Sequence, residues 1–111
     1  MAEIINPVDT ADGIAKECID LMRKKNHDYA GPQDFFKNLT YCEKLGICST
    51  QQGMLVRMSD KMSRLSTLIG SGEAAQVKDE SIDDTLRDMV NYSLLMLTYR
   101  KHLRMGEPAK P

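Results

Sequence analysis

An all-α bundle of four helices in one domain is the fold that the sequence predicts, and three observations predict it. Apolar residues recur at helical spacing in four segments, and none of the segments alternates as a strand would. Eight Met and few β-branched residues in those segments favour a helical core. The chain has 111 residues, enough for a single hydrophobic core. The domain is expected to cover residues 1–111, with 1–8 and 106–111 as flexible ends.

The first helix is expected from about Asp9 to Lys25, capped by Asp9 or Thr10, with Ile14, Cys18, Leu21 and Met22 on one apolar face. The turn residues of Asn26-His27-Asp28-Tyr29-Ala30-Gly31-Pro32 are expected to end it. A second, shorter helix from about Gln33 to Leu45 gathers Phe35, Leu39 and Cys42 and stops at Gly46. The third helix has the clearest start, because Ser49 and Gln52 fit a capping box. Its apolar stripe reads Leu55, Met58, Met62, Leu65 and Ile69, and Gly70-Ser71-Gly72 closes it. The fourth starts near Ser81, with Asp84 at N3, and runs to about Met105.

Composition narrows the function classes. A net charge of −1 and a pI near 6.1 give no global attraction to nucleic acid or to an anionic membrane. Two Phe, four Tyr and no Trp argue against a base-stacking platform for single strands, so no direct nucleic-acid binding is expected. Cys18, Cys42 and Cys48 are odd in number and lack C-x-x-C spacing, which reads as reduced, packed thiols rather than a disulfide framework or zinc site. The longest near-apolar run, Met89 to Tyr99, is too short to span a bilayer, and no leader pattern opens the chain. A cytoplasmic protein with no membrane partner is the expectation. The apolar fourth helix further implies a homo-oligomer, a dimer or larger, that completes the bundle.

The most informative stretch is Asp79 to Tyr92. It holds five carboxylates and leads into the apolar run, and a helix over it sets Asp84, Asp88 and Asn91 on one face. Carboxylates on a helix that is otherwise buried need a cation, a hydrogen-bond partner or a ligand. Asp83 is adequately explained by an i, i+4 pair with Arg87, and Asp79 by the helix dipole, which also competes for Glu80. Asp88 lies a full turn beyond the cap and resists such an account. An all-oxygen set of Glu80, Asp84 and Asp88 suits magnesium. On the third helix, Arg57, Asp60, Lys61 and Arg64 share the face away from the apolar stripe. Its cations can grip phosphate, and Asp60–Arg64 as a solvated ion pair is the plain alternative. If the third and fourth helices run antiparallel, these cations and the acids line one groove. In the turn after the first helix, Asn26, Asp28 and Tyr29 can read a base or sugar, with Lys24 or Lys25 meeting phosphate. Turn-forming is the plain alternative there. His27 and His102 read as solvent-facing or dipole-paired.

Three blocks carry a resemblance: Lys25-Asn26-x-Asp28-Tyr29-x-Gly31, then Arg57-x-x-Asp60-Lys61-x-x-Arg64-Leu65, then Asp79-Glu80-Ser81-Ile82-x-Asp84-Thr85-Leu86-x-Asp88-x-x-Asn91-Tyr92. Over about residues 14 to 100 the pattern resembles the family called nucleotide modification associated domain 1, which is small, helical and found in phages and bacteria. That family looks like a relative of MazG-type all-α nucleoside-triphosphate pyrophosphohydrolases, which hold magnesium on acids from two helices and assemble as dimers or tetramers. The resemblance implies catalysis by Asp84 and Asp88, which with Glu80 hold magnesium. Arg57, Lys61 and Arg64 would neutralise phosphate while water attacks between the α and β phosphorus. The pattern departs from MazG in one respect: no Glu-x-x-Glu element is present, and Asp60-Lys61-x-x-Arg64 stands in its place. A second reading is a protein that sequesters a nucleotide or cyclic-nucleotide signal against a host defence, with Asp60, Asp84 or Asp88 pairing with cations or accepting from base or ribose. A third is a structural oligomeric bundle.

Overall fold

The computed structural model describes residues 5–29, 36–72, 76 and 81–104. They form four helices and no strand: α1 (Pro7–Tyr29), α2 (Lys37–Lys44), α3 (Thr50–Ser71) and α4 (Ile82–Arg104). The all-α bundle is therefore present. Helix α4 packs along α3 on one side and α1 on another, while α2 lies on α3. Cross-helix contacts fix the directions. Lys61 meets Asp88 and Gln51 meets Arg100, so α3 and α4 are antiparallel. Cys18 meets Asn91 and Lys25 meets Asp88, so α1 and α4 are antiparallel as well. Among the described residues no helix is long and apolar enough to cross a membrane.

Helix α1 is longer at both ends than the sequence predicts. It begins at Pro7, whose fixed φ suits the first helical position, and Asn6 Oδ1 accepts from the Val8 amide at 2.9 Å. Neither Asp9 nor Thr10 is the cap. At the other end Asn26, His27 and Asp28 are accommodated within the last turn of α1 instead of breaking it. Lys25 lies on the face of Cys18, two turns on, and is thereby aimed at α4.

The expected start of α2 at Gln33 and the expected core residue Phe35 fall outside the described residues. Phe36 occupies the core beside Leu39, Met54 and Tyr99, with Leu95 and Met96 packed against them. Its ring meets Tyr99 edge-on at 5.7 Å and the ring of His102 at 5.5 Å, so His102 packs on the core instead of facing solvent alone. Thr50 opens α3 and donates its amide to Glu43 Oε1 at 3.3 Å. The capping box forms as read, with Ser49 Oγ accepting from the Gln52 amide at 3.1 Å and Gln52 Oε1 accepting from the Ser49 amide at 3.0 Å. Gly72 ends α3 at φ 68°, a left-handed conformation that glycine reaches without steric cost.

Gly53 allows α2 and α3 to approach closely, since a Cβ there would lie 2.5 Å from Cys42 Sγ. A Gly53→Ala variant is expected to lose about 1–3 kcal/mol through overpacking. Urea unfolding measures this, and a midpoint equal to that of the wild type would show that Cys42 simply swings aside.

The buried face of α3 coincides with the expected stripe only in part. Met54 and Leu65 are buried, with Met58, Lys61 and Leu68 partly so, whereas Leu55, Met62 and Ile69 are 62%, 56% and 64% exposed. The helix is turned so that its cationic residues Arg57, Lys61 and Arg64 are half-buried. Lys61 belongs on that face because its aliphatic stem packs inward while its ammonium finds a carboxylate. Helix α4 is likewise only partly covered, with Leu86, Val90 and Leu97 exposed, because the neighbouring helices wrap part of its circumference. Exposed apolar side chains therefore lie on α3 as well as on α4.

Candidate functional site

A cavity of about 440 Å³ opens where α1, α2, α3 and α4 meet. Its polar groups are Lys25 and Asn26 from α1, Asn38 from α2, Arg57 and Lys61 from α3, and Asp88 and Asn91 from α4. Met22, Leu39, Tyr92 and Leu95 supply the rest of the wall. Each helix contributes because its cavity-facing residues recur at helical spacing: Arg57 and Lys61 are one turn apart, and Asp88, Asn91, Tyr92 and Leu95 follow i, i+3, i+4 and i+7.

Asp88 is the electrostatic centre. Its Oδ1 accepts from Lys25 Nζ at 2.8 Å and its Oδ2 from Lys61 Nζ at 3.0 Å, so one carboxylate clamps ammoniums from two different helices. The Asp88 side chain is 16% exposed and that of Lys61 20%, so water screens this pair less than a surface one. Burial alone would raise the Asp88 pKa, but the hydrogen bonds and charges of Lys25 and Lys61 outweigh it and hold the carboxyl below its ordinary range. Arg57 is braced by donating from Nη2 to the Asn38 carbonyl at 3.1 Å. Deeper, the buried Asn91 donates from Nδ2 to the Cys18 carbonyl at 2.9 Å and ties α4 to α1. Its Oδ1 is buried with no hydrogen-bond partner among the described residues.

Of the residues singled out from sequence, the structure brings Asn26, Arg57, Lys61, Asp88 and Asn91 into this cavity. Asp84 sits elsewhere, at the start of α4. It accepts from Ser81 Oγ at 2.6 Å and from the Ser81 amide at 3.3 Å, while Ser81 Oγ accepts from the Asp84 amide. The Ser81 hydrogen bonds are the largest influence on Asp84 and hold its pKa low against burial, helped by Arg87. Arg87 pairs with Asp84 at 3.6 Å, which leaves the expected Asp83–Arg87 pair without support. Asp60 is exposed, and Arg64 is half-buried outside the cavity lining. Asp28 is exposed beside His27, 3.4 Å from its ring, over a shallow depression that Arg23 and Lys24 also line. Glu80 and the side chain of Tyr29 lie outside the described residues.

Met22, Leu39, Asn38, Tyr92 and Leu95 were not anticipated as cavity residues, and Lys25 only as one of two lysines of a turn. The signal for Lys25 is its spacing from Cys18 on one face of the first helix.

Magnesium bound by Glu80, Asp84 and Asp88 would need carboxylate oxygens that converge with free lone pairs. Among the described residues no three His, Cys, Asp or Glu side chains converge. Both Asp88 oxygens are engaged by ammoniums, and Asp84 is turned to Ser81. The described part of the set does not fit a magnesium ion, so no step is routed through one.

Residues 25–98 match the family described as nucleotide modification associated domain 1, and the chain belongs to that family. Neither a curated protein nor a solved structure matches the chain. The matched segment begins at Lys25 and contains every polar residue of the cavity.

Proposed function

We propose that the chain binds a nucleotide in this cavity without hydrolysing it. The observation that carries the reading is the convergence of Lys25 and Lys61 on one carboxylate with Arg57 a helical turn away, a cluster of cations facing an open cavity. Phosphate oxygens can accept from the Lys61 ammonium and from the Arg57 guanidinium. Asp88 holds the two lysines in place before the ligand arrives, which lowers the ordering cost of binding. Met22, Leu39, Tyr92 and Leu95 offer apolar surface for the base, and Asn26 and Asn38 offer polar groups for the sugar. Membership of a family associated with nucleotide modification supports the same ligand chemistry.

The test is to incubate the purified chain with nucleoside mono- and triphosphates and cyclic dinucleotides, with magnesium and with EDTA, and to chromatograph the products. The expected result is ligand depleted intact and recovered after heat denaturation, with retention reduced about tenfold or more in Lys61→Gln, the loss of one charge-assisted hydrogen bond. Pyrophosphate release that EDTA abolishes would replace this reading with a hydrolytic one. Retention of none of the ligands would remove it altogether.

A further inference from the structure

We propose that Cys42 and Cys48 form a redox pair, which hydrogen peroxide converts into an intrachain disulfide that pins α2 to the start of α3. The pair lies outside the cavity wall and does not depend on the nucleotide-binding reading. The backbone brings the two sulfurs together. After α2 the chain reverses in a helix-ending motif, with the Gly46 amide donating to the Glu43 carbonyl and the Ile47 amide to the Cys42 carbonyl, both at 3.0 Å. Gly46 takes the left-handed φ of 75° that the reversal requires. Cys48 follows Ile47 and is thereby returned to the side of Cys42. Gly53, in the first turn of α3, faces both thiols. The position its Cβ would occupy lies 2.5 Å from Cys42 Sγ and 3.6 Å from Cys48 Sγ. Two sulfurs so near one point come within reach of a bond of about 2.05 Å through side-chain rotation.

Access separates this pair from the third thiol. Cys42 and Cys48 are partly exposed, whereas Cys18 is fully buried. Burial first, then the hydrogen bond and charge of Cys42, then Glu43, push the Cys48 thiol up. Scarce thiolate keeps the pair reduced until an oxidant is present. One thiolate then attacks a peroxide oxygen, and the O–O bond breaks to leave a sulfenic acid and hydroxide. The second sulfur attacks the sulfenic sulfur; the S–S bond forms as the S–O bond breaks, and the departing hydroxide takes the second thiol proton. Two thiols thus lose two electrons and two protons, and the peroxide leaves as two waters. Helix α2 packs mainly on α3, so a bond there restricts every state in which α2 opens. It also steadies the Asn38 carbonyl, one turn before Cys42, on which Arg57 rests.

The experiment treats the purified chain with hydrogen peroxide in mildly alkaline buffer, where thiolates are populated, and maps its non-reduced peptides by mass spectrometry. The expected result is a linked Cys42–Cys48 peptide lighter by two hydrogens, reversed by dithiothreitol and formed equally in Cys18→Ala. Cys42→Ala and Cys48→Ala should each lack it. Hydrogen exchange at the α2 amides should slow about tenfold or more in the oxidised chain relative to the reduced one. Thiols that stay free, thiols driven separately to sulfinic acid, or a disulfide that engages Cys18 would each overturn the pair. A Cys42–Cys48 bond that leaves α2 exchange unchanged would overturn its action on α2.

Discussion

Asp88→Asn is expected to bind a phosphate dianion about tenfold more tightly while folding less stably, two effects of opposite sign from one change. The carboxylate neutralises Lys25 and Lys61 in the empty cavity and competes for them with any anionic ligand. Removing its charge frees both ammoniums, and at an effective dielectric near 20 a neighbouring unit charge is worth more than the roughly 1.4 kcal/mol that tenfold requires. The same change leaves two cations close together with no counter-ion, at about 1–3 kcal/mol of folding stability. Calorimetry with nucleotides and urea unfolding read the two effects separately. Loss of nucleotide affinity in a variant that still folds would show that Asp88 touches the ligand directly, and the clamp account would be wrong. The pH dependence has a definite sign. The folded-state pKa of Asp88 is depressed, so its contribution is complete above the ordinary carboxylate range and is lost as pH falls through the depressed value. Wild type and variant should therefore begin to converge in stability as pH falls past about 4 and meet only below the depressed value.

Phe36→Ala is expected to be the most damaging single truncation, costing about 3–5 kcal/mol. That is a large part of the 5–15 kcal/mol available to a typical domain. Phe36 belongs to a small core with Leu39, Met54 and Tyr99, and its ring makes edge contacts with both Tyr99 and His102. It thereby joins the start of α2 to the far end of α4. Leu55→Ala, on the exposed face of α3, is the control and should change stability by at most about 0.5 kcal/mol. Denaturant midpoints compare the two, and equal losses would show that the core is not centred on Phe36.

Much of this was legible in the sequence where a local rule decides the structure. The Ser49–Gln52 box and the Gly72 stop placed α3 correctly because both depend on hydrogen bonds and φ angles a few residues apart. The pairing of a cation on α3 with an acid on α4 followed from charge spacing, once the helices were set antiparallel. What was not legible depends on rotation about a helix axis. The stripe Leu55, Met58, Met62, Leu65 and Ile69 is as good as one through Met54, Met58 and Leu65, and the one that turns inward is the one that sets Lys61 opposite Asp88. The end of α1 failed for a different reason. Asn26 and Asp28 are good turn residues, but in a final turn they carry little penalty, and the extra length carries Asn26 to the cavity wall.

The tether between Asn91 and the Cys18 carbonyl joins points 73 residues apart, whereas α2, α3 and α4 each meet a neighbour in sequence. Closing so long a segment is the entropically expensive step of assembly, and it is the step that delivers α1. Helix α1 brings Lys25, Asn26 and Met22 to the cavity, so the cavity is complete only while α1 is docked. The α2–α4 portion can retain its own contacts when α1 lifts away, but it then offers an open wall with two cations and one carboxylate. Ligand affinity and the docking of α1 are accordingly one equilibrium. A ligand that occupies the cavity draws free energy into the longest-range contact of the chain, and makes the least local part of the fold the part most strengthened by binding.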